Sequence, residues 1–474
     1  MELVGRTNEI SEFEDAINST KSEMIAVIGR RRVGKTFLIR KYFAASIIFE
    51  YVGIFNGTLQ EHMNRFTKAQ KTYFKASKKD SEASNWFEFF DILEERIAAI
   101  KTKKKKVIFL DELPWMGGSN SSFIKALSHF WNAWASKRED IVLVVSGSAT
   151  AWMHKKIFNS KGGLYNRTTR IIDLQPFTLQ ETEAFLKTKK INISRSVITD
   201  IYMCMGGIPF YLDLIKKGES AAQLINRLFF EKNAVLKNEF DELFNSLFDD
   251  LDIYKKCVAV LAKHPYGLTR NELLLKLKKA SGSNFSTILN NLEQSKFITA
   301  TPQFNNKNRE RKLKLTDNYC LFYLKFVQQN QYNNWQNIYL SNAWKVWSGL
   351  AFENLCMQHI LPIKKTLKLD GIQTNVLSWH SKGNTIMHGA QIDLLIDRAD
   401  KIITVCEIKY YNQQVIINKD VETKMRNKLT AFKHFTKTNK TLFFTLISPY
   451  GAYKNNLAGN LIQNEIVLDD LFFE

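Results

Sequence analysis

The chain has 474 residues, of which 45% are hydrophobic and 24% are charged, and its formal net charge is +20. This length exceeds what one ordinary hydrophobic core holds, so we expect two to four domains with the composition of a globular protein. The excess of basic residues favours a polyanionic partner, and nucleic acid is favoured over an acidic membrane. The alternative is a general lysine bias in a protein that has no such partner.

The cysteines argue for a reducing compartment and against a zinc site, because they are scattered, odd in number and without C-x-x-C spacing. They are Cys204, Cys257, Cys320, Cys356 and Cys406. The N-terminus is charged and amphipathic, unlike a signal peptide, and no run approaches the ~20 apolar residues of a membrane span. We therefore expect a cytoplasmic protein with no membrane partner.

A phosphate-binding loop follows the first apolar run, residues 24–28. Residues 29–36 read GRRRVGKT, which is the G-x-x-x-x-G-K-T pattern between a predicted strand and a predicted helix. The glycines let backbone N–H groups turn toward phosphates, and the helix adds the positive end of its dipole. Lys35 is expected to reach the β- and γ-phosphates, and the Thr36 hydroxyl to bind Mg²⁺. The predicted nucleotide contacts here are Gly29, Arg30, Arg31, Arg32, Val33, Gly34, Lys35, Thr36 and Phe37. A Gly- and Lys-rich turn that fits by chance is the alternative.

Two acids end a second buried apolar run, as in a Walker B segment. Residues 107–110 read VIFL, and Asp111 and Glu112 follow them. Ligands of an open parallel sheet lie at the carboxyl ends of its strands. Asp111 is therefore predicted to hold Mg²⁺ through its water, and Glu112 to orient the attacking water as the catalytic base. The alternative is an acidic helix cap after a strand.

The remaining elements of the first 177 residues alternate between strand and helix, which implies a parallel sheet with helices on both faces. They are a strand at 47–52, helices at 61–76, 86–100 and 123–136, a strand at 141–145 and a strand ending near Pro176. The strand at 141–145 runs into SGSAT at 146–150, and its small hydroxyl residues, Ser146 and Ser148 among them, are expected to sense the γ-phosphate. A plain turn is the alternative. Arg167 or Arg170 is expected to stabilise transition-state charge, in cis or for a neighbouring subunit, unless these arginines are only surface residues.

A helical pattern runs from residue 178 to about 215 and contains GGIPFYL at 206–212. Its Gly-Gly-x-Pro sequence predicts a tight bend with Pro209 in the first helical turn. This bend either places a lid against the nucleotide or forms a plain corner between two helices.

Six segments then occur in a family-specific order: LVGRTNEI, GRRRVGKT, VIFLDELPWM, VSGSATAW, GGLYNRTTR and GGIPFYL. Together they resemble the archaeal and bacterial P-loop ATPases of the AAA+/STAND type that carry a C-terminal DUF234 region. The resemblance covers residues 1 to about 230. It implies that Val4, Gly5 and Arg6 lie near the adenine, that Ser148 is in the sensor position, and that the Gly-Gly-x-Pro segment belongs to a helical lid.

Residues 253–315 show a winged-helix pattern of three short helices and a hairpin. The helices are expected at 254–262, from the N-cap Thr269, and at 283–295, and the strands at 297–301 and 312–315 around a polar tip at 305–311. The wing carries basic residues suited to phosphate contacts, namely Lys307, Arg309, Arg311 and Lys312. The third helix is rich in Ser and Asn, with only Lys296 at its end, so a module that couples the ATPase to the tail is the alternative to DNA binding.

A second set of chemical groups lies in the tail, where residues 392–396 and 402–409 are predicted strands. Glu407 and Lys409 are two residues apart and so share one strand face, and Asp393 on the neighbouring strand adds a second carboxylate. Two carboxylates bind a hard divalent cation, and a lysine beside it activates water for attack on phosphate.

This tail resembles the PD-(D/E)XK nuclease core, with Glu353 in the preceding helix at 344–360, and it matches what the DUF234 region is thought to be. A helix at 421–435 and a strand at 441–447 support the resemblance. The alternative is the same fold without cleavage.

The sequence therefore predicts an α/β protein built from a P-loop NTPase parallel sheet with a helical lid, a winged-helix-like module and an α/β nuclease-like (restriction endonuclease-like) domain. The expected bounds are 1–177 for the ATPase core, 178–245 for the lid, 246–335 for the winged-helix-like module and 336–474 for the nuclease-like domain. ATP and Mg²⁺ are the expected cofactors, DNA is the expected partner, and a homo-oligomer is left open. The predicted metal ligands are Thr36, Asp111, Asp393 and Glu407.

Two alternative functions remain open from the sequence. The first is a nucleotide-controlled DNA-binding or signalling switch whose nuclease-like tail is catalytically inactive. The second is a protein-remodelling ATPase with no nucleic acid partner, for which DNA binding is weak and without steep salt dependence.

Overall fold

The computed structural model describes residues 3–74, 82–118, 121–158, 164–248, 250–278, 282–304, 311–329, 334–339, 341–385 and 387–473. It contains two compact units. The N-terminal unit is Met1–Pro176 with Ser246–Phe248, and the C-terminal unit is Phe177–Asn245 with Asp249–Glu474. Of the predicted wing residues, Lys307 and Arg309 lie outside the described residues. No helix in the described ranges is long and apolar enough to cross a membrane.

Strands and helices alternate along the N-terminal unit, as the sequence predicts. Its elements are α1 (Thr7–Asn18), β1 (Glu23–Ile28), α2 (Lys35–Tyr42), β2 (Ile47–Val52), α3 (Leu59–Phe74), α4 (Trp86–Ala98), β3 (Lys106–Asp111), α5 (Leu113–Met116), α6 (Phe123–His129), β4 (Ile141–Gly147), α7 (Thr150–Met153) and β5 (Arg170–Asp173).

The five described strands of this unit form one parallel sheet in the order β2-β3-β4-β1-β5. Strands β1, β3 and β4 are buried along their whole length, as expected of central strands whose two faces are both covered. The register pairs Ile28 with Gly147 and Leu110 with Val145. The carboxyl ends of β1, β3 and β4 therefore meet at one edge of the sheet, and the predicted α/β class with a parallel sheet is confirmed.

Helices α3, α4 and α6 bury aromatic side chains in the core of this unit. These include Phe66, Phe89, Phe90 and Phe123. The helix predicted at 123–136 is shorter than expected, because α6 ends at His129 and the chain continues through irregular turns. Such turns of π or 3-10 type occur at Phe130–Trp134, Ala135–Lys137, His154–Phe158, Asn226–Phe230, Tyr323–Val327, Trp335–Asn337 and Leu468–Phe472.

The C-terminal unit is helical at first and ends in a second sheet. Its elements are α8 (Leu179–Thr188), α9 (Arg195–Met205), α10 (Pro209–Asp213), α11 (Ala221–Ile225), α12 (Glu239–Asn245), α13 (Leu251–Ala262), α14 (Arg270–Leu277), α15 (Ser283–Gln294), β6 (Ile298–Pro302), β7 (Arg311–Leu315), α16 (Asn318–Phe322), α17 (Asn342–Gln358), α18 (Ile360–Thr366), β8 (Thr374–Gly383), β9 (His388–Arg398), β10 (Ile402–Ile408), α19 (Lys419–Thr436), β11 (Thr441–Ile447), α20 (Asn456–Leu461) and β12 (Asn464–Ile466).

Three helices and a hairpin occupy the segment with the winged-helix pattern. Thr269 caps α14 by accepting the N–H of Glu272, which in turn accepts the N–H of Thr269. Strands β6 and β7 are antiparallel, and Leu268 adds a bridge to Leu313. The predicted order of helix, helix, helix and hairpin is confirmed.

The second sheet has the order β12-β11-β10-β9-β8 among the described residues. Strands β8, β9 and β10 are antiparallel, whereas β10, β11 and β12 run parallel. Strand β8 is absent from our sequence predictions. Its side chains are mostly half-buried or exposed and it lies at the sheet edge, so it lacks the apolar run that reveals β10.

Polar contacts join the helical part of the C-terminal unit to the segment after residue 336. The backbone N–H of Leu179 donates to Nε2 of His359 at 3.0 Å. The hydroxyls of Tyr339 and Tyr410 both donate to Asp200, at 2.5 and 2.7 Å. The segments predicted as lid and nuclease-like domain thus pack within one unit, and the predicted domain bounds stay predictions.

Candidate nucleotide site and candidate carboxylate site

The loop between β1 and α2 has a backbone that requires glycine at its two ends. Gly29 has φ 143°, and a Cβ there would lie 2.5 Å from the carbonyl oxygen of Leu174. Gly34 has φ 94° and precedes the first residue of α2. Both values fall where L side chains are strained, so the loop keeps this shape because glycine stands at these positions.

Lys35 lies buried inside this loop, with 5% of its surface exposed. Its Nζ donates to the carbonyl oxygens of Gly29 at 3.0 Å and Arg30 at 3.2 Å. Burial lowers the pKa of Lys35, and the nearby carboxylates of Glu112 and Asp111 oppose that shift. The amine is thus held at the mouth of the loop, where phosphate oxygens are expected to take the place of the two carbonyls.

The Asp111 carboxylate lies against two hydroxyl groups. Thr36 Oγ1 donates to its Oδ2 at 2.7 Å, and Ser146 Oγ donates to its Oδ1. A hydroxyl oxygen and a carboxylate oxygen that lie side by side are hard ligands, which Mg²⁺ prefers. This ion takes few protein ligands and completes its coordination shell with water and phosphate oxygens. The side chains of Thr36 and Asp111 therefore fit the cation that the sequence predicts. Ser146 is one of the small hydroxyl residues predicted to sense the γ-phosphate, and the structure directs its hydroxyl to Asp111 instead.

The structure brings Glu112 and Ser148 together. Glu112 has left-handed backbone angles (φ 54°, ψ 57°) and precedes α5. Ser148 donates its backbone N–H to Oε2 at 3.0 Å and its hydroxyl to Oε1 at 2.5 Å. Two bonds to different oxygens fix the orientation of the carboxylate.

The residues predicted near the adenine lie just before α1. Val4 and Arg6 are buried. Arg6 Nη2 donates to the carbonyl oxygen of Val33 at 3.4 Å, and its Nη1 is 3.6 Å from Glu9 Oε1. Arg6 therefore connects the start of the chain to the phosphate-binding loop. Phe37, on the first turn of α2, is 42% exposed.

The two candidate arginines are differently placed. Arg170 Nη1 donates to Oε2 of Glu12 at 2.6 Å, so the guanidinium charge of Arg170 is paired with a carboxylate of α1. Arg167 lies exposed before β5. Within the described ranges, neither arginine has a hydrogen bond or ion pair with Lys35, Asp111 or Glu112.

The tail acids lie on neighbouring strands of the second sheet. The register pairs Cys406 with Leu394, which places Glu407 of β10 and Asp393 of β9 next to each other at the following step. Glu407 is bound by two lysines: Lys409 Nζ lies 2.8 Å from Oε1 and Lys428 Nζ 2.5 Å from Oε2.

The Asp393 carboxylate is also engaged. Its Oδ1 accepts from Lys314 Nζ at 3.1 Å and from Gln391 Nε2 at 2.8 Å. Sequence reasoning missed Lys314 and Lys428, which come from β7 and α19 and have no local motif that links them to these acids.

Glu353 on α17 belongs to the same cluster. Burial and the charge of Asp393 raise its pKa to about 8, against the opposing effect of Lys314 and Lys409. Burial also disfavours the charged form of Glu407, but Lys428 and Lys409 outweigh it and lower the pKa of Glu407. The structure thus gathers Glu353, Asp393, Glu407 and Lys409.

These acids do not form a ready cation site. No group of three or more His, Cys, Asp or Glu side chains in the described part of the chain is arranged to hold a metal ion. Carboxylates are the right type of ligand, but lysines already occupy oxygens of Asp393 and Glu407. A cation would therefore compete with Lys314 for Oδ1 of Asp393 and with Lys409 and Lys428 for the two oxygens of Glu407.

The comparisons with known proteins identify the N-terminal chemistry. Residues 3–215 match the model of a family described as an ATPase domain predominantly from Archaea. This part of the chain is therefore an ATPase domain, which binds and hydrolyses ATP.

Likenesses to individual proteins are more distant. The chain is 24% identical over 417 residues to an uncharacterized protein of Methanocaldococcus jannaschii, covering 86% of this chain and 87% of the relative. A Walker-type ATPase of Pyrococcus abyssi aligns with 68% of this chain and 96% of its own, at 19% identity and a TM-score of 0.47. The ORC2 protein of Aeropyrum pernix aligns with 72% of this chain and 96% of its own, at 13% identity and a TM-score of 0.43.

Proposed function

We propose that ATP hydrolysis in the N-terminal unit controls a C-terminal unit that binds DNA and cleaves it in a metal-dependent reaction. The observation that carries the proposal is the gathering of Glu353, Asp393, Glu407 and Lys409 on one sheet and its neighbouring helix. The ATPase domain lies in the same chain, and its ATP hydrolysis either drives DNA cleavage at this carboxylate site or sets when cleavage occurs.

In the ATPase reaction, Lys35 binds the β- and γ-phosphates and the loop amides from Gly29 to Thr36 cradle them. Thr36 and Asp111 would hold Mg²⁺, which would neutralise negative charge on the phosphates. Glu112 accepts a proton from the attacking water, and Ser148 keeps its carboxylate aligned. Val4, Gly5 and Arg6 are assigned to the adenine, and Arg167 to transition-state charge.

The nuclease-like assignment of the tail rests on topology and side chains together. Helix α17 carries Glu353, strands β8 to β10 are antiparallel, and β11 follows α19 and pairs in parallel with β10. This order of helix, strands, helix and strand is that of the PD-(D/E)XK core that the sequence resembles. Lys409 follows β10 directly, and its Nζ lies 2.8 Å from Oε1 of Glu407. We assign to it the role of orienting the attacking water.

Cleavage is tested with purified protein, plasmid and linear DNA, Mg²⁺ or Mn²⁺, and with or without ATP. We expect cleavage by the wild type and none by Glu407→Ala. Glu422→Ala, a glutamate on α19 that pairs with Arg426, is the matched control and keeps activity. Lys35→Ala is expected to lose ATP binding, and Glu112→Gln to keep binding and lose hydrolysis by about 100-fold or more.

One observation favours a second candidate, the nucleotide-controlled DNA-binding or signalling switch with an inactive tail. Lysines neutralise both Asp393 and Glu407, which is the arrangement of a structural ion-pair network. The described basic residues of the wing are engaged as well, Arg311 with Glu293 and Lys312 with Glu272.

The same experiment separates these candidates. Absence of cleavage together with DNA binding that weakens steeply with salt would establish the switch, because phosphate neutralisation releases counterions. Weak binding without that salt dependence would favour a protein-remodelling ATPase.

A further inference from the structure

A cavity of about 1160 Å³ lies within the C-terminal unit, and no sequence motif points to it. Its wall is formed by α13 with the turn after it, the β6–β7 hairpin, α16 with the segment after it, α17, β8 and β9. Glu353, Asp393 and Lys314 belong to this wall. The cavity therefore opens onto part of the carboxylate cluster.

The wall combines positive charge with apolar and amide side chains. Lys263 and Lys325 are exposed lining residues, and within the described residues neither takes part in an ion pair. Leu324 and Leu350 provide apolar surface, and Gln328 provides an amide. Uncompensated cations beside apolar surface suit a ligand that carries phosphates and flat bases.

The volume restricts which form of nucleic acid enters. Pockets of about 300–1,000 Å³ bury a drug-sized molecule, so this cavity takes about two or three nucleotides of an unpaired strand and excludes a duplex. Any phosphate that reaches Glu353 and Asp393 from this side must belong to a strand narrow enough to enter.

We propose that this cavity binds the unpaired end of a DNA strand, so that the C-terminal unit acts on single-stranded ends or flaps. The inference rests on the proposed function, because it names the substrate class of the same carboxylate site. A phosphate in the cavity pairs with Lys314, which removes the positive charge from Oδ1 of Asp393 and leaves the neutral amide of Gln391 as the donor to this oxygen. Strand binding and exposure of the carboxylate are thereby coupled.

The test measures binding by fluorescence anisotropy, in EDTA and without ATP, of a labelled single-stranded 12-mer and of its duplex. We expect the single strand to bind about tenfold more tightly than the duplex. Thr299→Trp, which fills the cavity from β6, and Lys325→Glu, which reverses a wall charge, are expected to weaken single-strand binding about tenfold and to leave duplex binding unchanged.

Matched controls make the same changes away from the cavity. The controls are Thr423→Trp and Lys345→Glu. Thr423 is exposed on α19, Lys345 is exposed on α17, and neither residue lines the cavity. Both are expected to bind like the wild type. Circular dichroism and the ATPase rate show whether each variant is folded.

Equal affinity for single strand and duplex, or single-strand binding that Thr299→Trp and Lys325→Glu do not change, would overturn the inference. So would binding of mononucleotides in the cavity without binding of the 12-mer. A different result would overturn the proposed function alone. In that case the cavity variants lose single-strand binding, as this inference expects, but the wild type cleaves no DNA with Mg²⁺ or Mn²⁺. If Thr299→Trp and Lys325→Glu cleave duplex DNA as fast as the wild type does, the nuclease assignment stands and this inference is wrong.

Discussion

Lys314 Nζ donates to Oδ1 of Asp393 at 3.1 Å and so connects β7 of the hairpin to β9 of the second sheet. Both side chains are about four-fifths buried, with 20% and 21% exposed. Substitution of one residue of a buried ion pair is destabilising, because the remaining charge stays buried without a partner. The hairpin thus holds the carboxylate that the sequence assigns to a cation.

Removing this lysine is expected to favour cation binding. In Lys314→Met the Asp393 carboxylate loses its competing cation, so the affinity of nucleotide-free protein for Mn²⁺ should rise about tenfold. Isothermal titration with Mn²⁺ measures this change. Lys312→Met is the control, because Lys312 on the same strand pairs with Glu272 instead. Equal Mn²⁺ affinity in Lys314→Met and wild type would show that Asp393 is not a cation ligand.

The hydroxyl of Ser148 is expected to act through Glu112. Ser148→Ala removes the donor to Oε1 and leaves the backbone N–H of residue 148 as the donor to Oε2, so the carboxylate is held less firmly. We expect kcat for ATP to fall about tenfold with an unchanged KM. Steady-state ATPase rates measure both constants. Ser146→Ala provides the contrast, since Ser146 donates to Asp111 and its loss should mainly raise the Mg²⁺ concentration needed for half-maximal rate. A raised KM for ATP in Ser148→Ala, with kcat unchanged, would argue against this role.

The sequence predicts the nucleotide site well because its parts are local. Gly29 to Thr36 are consecutive residues, Asp111 ends β3 and Glu112 comes directly after it, so spacing alone shows the pattern. The carboxyl ends of parallel strands then bring the two segments together without further information. The bond from Ser146 to Asp111 could not be predicted in the same way, because a serine near a strand end carries no pattern that names its partner.

The tail is less predictable, because its contacts join residues far apart in the chain. Lys314 reaches Asp393 across 79 positions and Lys428 reaches Glu407 across 21. Nothing near either lysine distinguishes it from the many surface lysines of this basic chain. The cavity is hidden for the same reason, since its wall comes from segments spread between Ala259 and Asp393.

His359 is expected to make the C-terminal unit sensitive to mild acid. Its Nε2 accepts the N–H of Leu179, and burial lowers its pKa to about 4, although its bond to the carbonyl of Leu355 opposes the shift. An unfolded chain binds this proton near pH 6.5, whereas the folded chain binds it only near pH 4. The unfolded state therefore binds more protons as the pH falls from 6.5 to 4, and stability is lost over that range, by up to about 3 kcal/mol from this group.

Chemical denaturation at pH 7 and pH 5 tests this prediction. The wild type should lose stability between the two values, and His359→Gln, whose amide oxygen still accepts the Leu179 N–H, should lose less. His380→Gln changes an exposed histidine and should behave like the wild type. An identical pH dependence in the wild type and His359→Gln would mean that the buried ring contributes nothing to acid sensitivity.

Gly207 marks the closest backbone approach in the Gly-Gly-x-Pro bend. A Cβ at this position would lie 1.9 Å from the carbonyl oxygen of Phe177, whose N–H donates to the carbonyl of Gly207 at 2.7 Å. Gly207→Ala must therefore separate two hydrogen-bonded segments, and we expect a loss of about 3 kcal/mol in the free energy of unfolding. Gly349→Ala is the matched control, because a Cβ on that part of α17 meets nothing within 4 Å. It should stabilise the helix by about 0.5–1 kcal/mol. Urea unfolding of the full chain measures both variants, and a Gly207→Ala protein as stable as the wild type would show that the bend relaxes without cost.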